Sequence, residues 1–271
     1  MQVSGLEIYG LVAAVFMGLT LGVMGGGGAI LTVPILVYFF NINPVLASAY
    51  SLFIVGCTAL VGGTRYFLKG EVELKTGLIF ATPGFLGVYL SRAVIVPMLP
   101  DPVLKLGAFV VSKPILIMSA FSVIMLLAAS SMIRPKKNAQ TKTGTSEGSK
   151  LIMILIQGLG VGLIAGFVGA GGGFLIIPAL VVLVGLPMRK AVGTSLMIIS
   201  VNSLFGFIGD LQRQALIDWK LLILVSSLSL VGMLVGVSVS HKINEASLKK
   251  AFGFFVLLMG AVILVDQIRK L

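Results

Sequence analysis

Long apolar stretches separated by short polar turns recur along the whole chain. Most of them approach or exceed the ~20 residues that an α-helix needs to cross the hydrocarbon core of a bilayer. The pattern predicts an all-α integral membrane protein with eight to ten membrane segments and no separate soluble domain. The predicted segments are residues 6–24, 29–41, 45–64, 76–98, 103–133, 151–168, 174–186, 190–209, 219–240 and 248–268.

One polar stretch divides the chain. Residues 134–150, with the sequence RPKKNAQTKTGTSEGSK, are rich in Lys, Thr, Ser and Gly and have no apolar face to bury. This composition is typical of a flexible linker. We therefore expect a first membrane repeat over residues 1–133, a cytoplasmic linker over 134–150 and a second membrane repeat over 151–271.

The two halves contain matching sequences. A shift of 144 residues places VMGGGGAILTVPIL, residues 23–36, over FVGAGGGFLIIPAL, residues 167–180, without a gap. The same shift pairs Gly25 with Gly169, Gly27 with Gly171, Gly28 with Gly172, Pro34 with Pro178, and Ser51 with Ser195. Chance rarely aligns so many glycines, a proline and a serine at one offset, so the pattern predicts two homologous repeats.

Each repeat contains a glycine-rich break in an apolar segment. Glycine in a helix costs ~1 kcal/mol relative to alanine. In lipid, irregular backbone survives only where it is packed in protein or lines a wet cavity. The apolar run after the first break, 29–41, would be ~20 Å long as a helix, against a hydrocarbon core of ~30 Å. Each break is therefore predicted to begin a half-helix.

The N-terminal end of such a half-helix suits an anion. It carries free N–H groups and the positive end of the helix dipole, and glycines let a ligand approach the backbone closely. Two copies predict a paired anion site. Its candidate residues are Gly25, Gly26, Gly27, Gly28 and Ala29 in the first copy and Gly169, Gly171, Gly172 and Gly173 in the second.

These residues also have structural explanations. Glycines in membrane helices commonly serve close helix packing, although two copies in register favour a site. For Ser51, Ser195 and the neighbouring Thr194, ligand contact competes with a hydroxyl bonded to its own helix. Asn202 and Asn43 suit hydrogen bonds between helices as well as contact with a substrate.

Lys113, in VVSKPILIM, is a candidate cation within a span. At membrane depth it would be a counter-ion to a bound anion. Because residues 114–133 are long enough to cross alone, Lys113 could instead mark the membrane interface, and this second interpretation is favoured.

Charge and missing motifs exclude other functions. The net charge of +11 resides in short loops, where membrane orientation explains it better than nucleic acid binding does. The chain has one cysteine and one histidine and lacks known catalytic or metal-binding motifs, so we expect no enzyme, no cofactor and no metal site.

The orientation of the repeats follows from the half-helices. If they cross the membrane fully, each half has an odd number of spans and the repeats are inverted. If they turn back, the repeats are parallel. The inverted arrangement is favoured, because it brings both half-helix ends to the midplane from opposite sides.

The doubled motif, GGGGAILTVP and GAGGGFLIIP, together with AVGTSL at 191–196 and the polar linker, resembles the TauE/SafE family of sulfite and organosulfonate exporters. The resemblance implies a permease of the inner (cytoplasmic) membrane for small sulfur-containing anions such as sulfite, sulfoacetate or thiosulfate. Family positions fall on Gly25 to Gly28, on Gly169 and Gly171 to Gly173, and on 191–195. The first copy departs from the pattern, since it has Tyr50 where the second has Thr194.

The expected partners are a small anionic substrate, the lipid bilayer, a coupling ion such as H⁺ or Na⁺, and a second copy of the chain in a homo-oligomer. Two alternatives remain open. One is a transporter of the same build for another small solute or cation, and the other is a membrane scaffold that transports nothing and whose glycines only pack.

Overall fold

A computed structural model describes residues 5–106, 109–133, 147–169, 172–173, 176–177, 180–211, 217–240 and 245–270. These residues are mainly helical. The helices are α1 (Gly5–Met24), α2 (Thr32–Tyr38), α3 (Pro44–Leu68), α4 (Leu74–Leu90), α5 (Val96–Met98), α6 (Lys113–Ile133), α7 (Glu147–Val168), α8 (Met188–Leu211), α9 (Trp219–Val239) and α10 (Glu245–Arg269). A 3₁₀-helix, Gly25–Leu31, joins α1 to α2, and π-helical turns occupy Ser91–Ile95 and Leu180–Val184.

Five helical stretches in the described part of the chain are long and apolar enough to cross a membrane. They are Leu6–Tyr38, which is divided by the glycine break at Gly25, and Pro44–Leu68, Leu74–Met98, Met188–Leu211 and Trp219–Val239. Large apolar side chains such as Leu68, Leu78, Leu127 and Leu258 point outward. An apolar exterior is what a lipid solvent requires.

The segment predicted at 103–133 is not one helix. Strand β1 (Leu104–Leu106) pairs antiparallel with strand β2 (Phe109–Val111), and α6 begins only at Lys113. The strand formers Phe109, Val110 and Val111 favour extended backbone, and Pro114 suits the first turn of a helix. A short apolar run of this kind is not distinguished from a helix by hydropathy alone. This hairpin is the exception to the predicted all-α fold.

The structure describes only the end of the linker predicted at 134–150. Residues 134–146 lie outside the described residues, and residues 147–150 form the first turn of α7.

The first break turns the chain back on itself. Gly25 has a φ of +64°, and the residues after it pack along α1 in the opposite direction. A Cβ at Gly28 would lie 2.8 Å from Thr20 Oγ1, and one at Gly10 would lie 2.9 Å from Phe39 Cβ. Residues 5–38 therefore form a helical hairpin with the glycine run at its tip.

Helices from different halves form the main interfaces. Helix α1 packs on α9, α4 on α7, and α3 on α8, while α6 packs on α10. In α3 and α8 the contacts run in opposite directions: Gly56 meets Leu204, and Gly63 meets Met197 seven residues earlier in α8. Helices α3 and α8 therefore pack antiparallel along most of their length.

The interfaces α4–α7 and α1–α9 run parallel. In α7, Gly158, Gly162 and Gly166 contact Phe80, Gly84 and Val88 of α4 in the same order. In α1, Gly18 contacts Ser229 and Gly22 contacts Met233 of α9. Gly18 and Gly22 precede Gly162 and Gly166 by 144 residues. Matching glycines thus pack on the other half in the same way.

Candidate substrate site at the two helix breaks

The first break is a buried turn. Every residue from Gly25 to Leu31 is buried, including the candidates Gly26, Gly27, Gly28 and Ala29. Met24, which precedes the 3₁₀-helix, makes no side-chain cap. The start of this segment therefore lies in the protein interior without a capping side chain from Met24.

The second break uses glycine in the same way. Gly169 and Gly172 have φ values of +78° and +71°, in the left-handed region that favours glycine. The Gly169 N–H donates to the carbonyl of Ala165 (2.8 Å), closing the last turn of α7. The predicted site residue Gly171 and the matching proline, Pro178, lie outside the described residues.

The two breaks contact each other through their backbones. A Cβ added to Gly26 would overlap the backbone of Gly173, and a Cβ added to Gly173 would overlap that of Gly26. Only a residue without a side chain allows this approach. No ligand fits between these two residues.

Gly28 and Gly172 serve a different contact. A Cβ at Gly28 would lie 2.6 Å from Leu21 Cα, and one at Gly172 would lie 2.7 Å from Ala165 Cβ. Both glycines therefore face the helix that precedes them in their own half. Close packing accounts for their lack of a side chain.

Ser195 lies at the tip of the first break. Its Oγ would be 3.0 Å from a Cβ on Gly25, and its hydroxyl donates to the carbonyl of Val192 (2.8 Å). The hydroxyl oxygen keeps its capacity to accept. The matching Ser51 is fully buried, and no described residue forms a hydrogen bond with its Oγ.

Thr194 and Tyr50, the aligned pair that differs between the repeats, make equivalent contacts. The Thr194 hydroxyl accepts from the Glu73 N–H (2.9 Å), directly before α4. The Tyr50 hydroxyl accepts from the Asp218 N–H (2.7 Å), directly before α9. Each side chain therefore holds the start of a helix in the opposite half, and two different residue types perform one structural task.

Asn202 is buried where α8 meets α4. Its Nδ2 would lie 2.6 Å from a Cβ on Gly84, while its Oδ1 finds no partner among the described residues. Asn43 instead caps α3, because its side chain accepts from the Val45 N–H (2.9 Å).

Lys113 is the first residue of α6 and is only half-buried. Its backbone N–H donates to Asp101 Oδ1 (3.2 Å). The structure brings Lys113 into no described contact with either break.

Among the described residues, Arg92 is the one fully buried cation, and the sequence analysis did not single it out. Arg92 is 1% exposed and lies in the π-helical turn Ser91–Ile95, which packs on α7 and α8. Its Nη1 lies 3.5 Å from Asp210 Oδ2, in the last turn of α8. The sequence itself marks Arg92, since this charged residue falls inside the apolar segment predicted at 76–98.

Among the described residues, no group of three or more potential metal ligands is found.

The architecture is that of a polytopic membrane transporter, in which broken helices meet inside the protein. Comparison with known proteins specifies the family. The family described as "Sulfite exporter TauE/SafE" matches residues 10–263. The chain therefore belongs to the TauE/SafE family, and the resemblance seen in the sequence is confirmed.

Curated relatives carry a consistent name. A "Probable membrane transporter protein" of Xylella fastidiosa (strain 9a5c) is 27% identical, and the alignment covers 92% of this chain and 91% of that protein. The "Probable membrane transporter protein YdhB" of Bacillus subtilis (strain 168) is 26% identical, with 92% and 96% covered. No solved structure matches the chain.

Proposed function

We propose that this transporter moves small sulfur-containing anions, such as sulfite, sulfoacetate or thiosulfate, across the inner membrane. The anion would bind beside the junction of the two glycine-rich breaks. The observation that carries the proposal is the backbone contact of Gly26 with Gly173, which unites the two breaks at one buried place. The class of substrate rests on the family, whose description names sulfite.

The chemistry of the junction favours an anion over a cation. The positive dipole end at the start of the first half-helix attracts negative charge. The Ser195 and Ser51 hydroxyls lie in α8 and α3, and both can donate to an oxyanion once the site opens. In the described part of the chain, Asp210 is the one buried acidic residue, and it is paired with Arg92.

Alternating access through inverted repeats would carry the anion across. Helices α3 and α8 are related by the sequence offset and pack antiparallel, which supports a relation that reverses direction across the membrane. The offset of 144 residues places α1 on α7 and α4 on α9. The symmetry of inverted repeats would therefore superpose the parallel pair α1–α9 on the parallel pair α4–α7, which supports the same arrangement. In such a transporter, rocking of one repeat against the other opens a central site to each side in turn. We propose ten membrane segments, five in each repeat.

The test is efflux from proteoliposomes that contain the purified protein. Vesicles are loaded with sulfite, thiosulfate, sulfate or acetate, and pH and Na⁺ gradients are imposed in turn. We expect protein-dependent efflux of sulfite or thiosulfate that exceeds efflux of acetate at least tenfold. Preferred transport of acetate or of a cation would contradict the proposed substrate class, and the absence of all flux would favour a scaffold.

A further inference from the structure

The strongest unexplained feature of the interior is the guanidinium group of Arg92. Its side chain is 0% exposed, and none of its Nε, Nη1 and Nη2 atoms forms a hydrogen bond with a described residue. A buried guanidinium carries five N–H donors and a permanent charge, and leaving them unsatisfied is costly. A side chain of this kind is retained inside a membrane protein mainly where it has a functional task.

The position of Arg92 connects it to the second break. Its Nη2 would lie 2.6 Å from a Cβ on Gly169, the first glycine after α7. A Cβ at this position would also overlap the Ser48 backbone, so glycine, with a φ of +78°, lets the turn pack directly against the guanidinium. The unpaired donors therefore reach the place where the glycine motif turns.

Asp210 engages only one side of the guanidinium. Its Oδ2 lies 3.5 Å from Nη1, which is longer than the ~2.8 Å of a charge-assisted hydrogen bond. Nε and Nη2 share the other edge of the planar group. This edge presents two parallel N–H donors, the geometry that binds two oxygens of one oxyanion.

We propose that Arg92 binds the transported anion through its Nε–Nη2 edge, while Asp210 balances its charge through Nη1. This inference rests on the proposed function and names the residue that holds the substrate's charge. Sulfite, sulfonates and thiosulfate each present two or more oxygens on one sulfur, and these match the planar fork. Ser51 of α3 and the N–H groups of the breaks would supply the remaining donors.

The site is asymmetric. The residue 144 positions after Arg92 is Gly236, which packs on α1 beside Leu19 and Gly22. Only the first repeat therefore supplies a cation, and it lies at the break of the second. Because one guanidinium binds one anion, we expect one anion per transport cycle, held nearer to Gly169 than to Gly25.

The test compares charge-matched variants of the purified protein. Arg92→Gln alone leaves Asp210 buried without a partner and risks misfolding. The double variant Arg92→Gln/Asp210→Asn removes both charges and is the main test. Arg189→Gln, at an exposed position of α8, is the control for loss of an arginine. Each protein is assayed for sulfite and thiosulfate efflux and for the shift in melting temperature caused by sulfite, thiosulfate, sulfate and acetate.

The proposal predicts that the double variant folds but loses the anion-induced shift, and that its efflux falls about a hundredfold, because two charge-assisted hydrogen bonds are lost. Arg92→Lys keeps the charge without the fork, so it should weaken binding about tenfold. Arg189→Gln should behave as the wild type.

A double variant that binds and transports like the wild type would overturn the assignment, because the pair would then be a structural ion pair, while the proposed function would stand. A wild type stabilised by acetate through Arg92 but not by any sulfur anion would keep the arginine site and overturn the sulfur substrate. A wild type that no anion stabilises would contradict both.

Discussion

Replacing Gly26 by alanine is expected to abolish transport and to destabilise the protein by about 3 kcal/mol, the upper end for an overpacked core. The added methyl group would overlap the backbone of Gly173. A flexible side chain could move aside, but a backbone held by its own half-helix cannot. The two breaks would have to separate, and the junction that we propose for the substrate would be lost.

Gly160→Ala is the matched control. Gly160 lies in α7, and a Cβ there would meet no atom within 4 Å. Its replacement should leave efflux unchanged and stabilise the helix by up to ~1 kcal/mol. Melting temperature in detergent and sulfite efflux in vesicles are measured for both variants. If Gly26→Ala melted and transported like Gly160→Ala, the contact between the breaks would not exist in the working protein.

The second large effect is expected at the two interfaces between the halves that are packed through glycines, α4–α7 and α1–α9. A side chain at Gly162 would overlap the Gly84 carbonyl of α4, and one at Gly18 would overlap the Ser229 carbonyl of α9. Gly162→Leu and Gly18→Leu should each force a helix pair apart and prevent recovery of monodisperse protein. Membrane helices gain much of their association energy from such close contacts, since lipid supplies no hydrophobic drive between them.

Gly160→Leu shares the helix and the substitution with Gly162→Leu but points into open space. It should be recovered at the wild-type yield, as measured by size-exclusion chromatography of solubilised membranes. Similar losses of recovered protein for Gly18→Leu and Gly162→Leu would show that the two interfaces are equivalent. Normal recovery of either variant would show that its interface does not hold the halves together.

Much of the architecture could be predicted from residue identity. The sequence alone shows the glycine runs, the offset of 144 residues and the long apolar segments. These features predict the fold because few arrangements in a bilayer satisfy every backbone polar group and every charged side chain. The contact of Gly26 with Gly173 could not be predicted. It joins residues far apart in the chain and depends on how the helices between them pack.

Other features were hidden for different physical reasons. Hydropathy does not separate a helix from a strand, so the sequence pattern predicts a membrane span where β1 and β2 form a hairpin. Thr194 and Tyr50 differ in chemistry, and only the structure shows that each hydroxyl accepts from the N–H before a helix of the other half. Arg92 could have been predicted, because its charge interrupts an apolar segment, whereas the predicted cation Lys113 lies at the start of a helix.

The central claim is that the two breaks line one path, approached from opposite sides of the membrane. Ser195 and Ser51 occupy matching positions in the two repeats, and both are fully buried. Each is replaced by cysteine in a Cys57→Ala background, and labelling by an impermeant maleimide is measured from each side of oriented vesicles. The account predicts that Ser195→Cys is labelled from one side and Ser51→Cys from the other. Labelling of both from the same side, or of neither from any side, would contradict it.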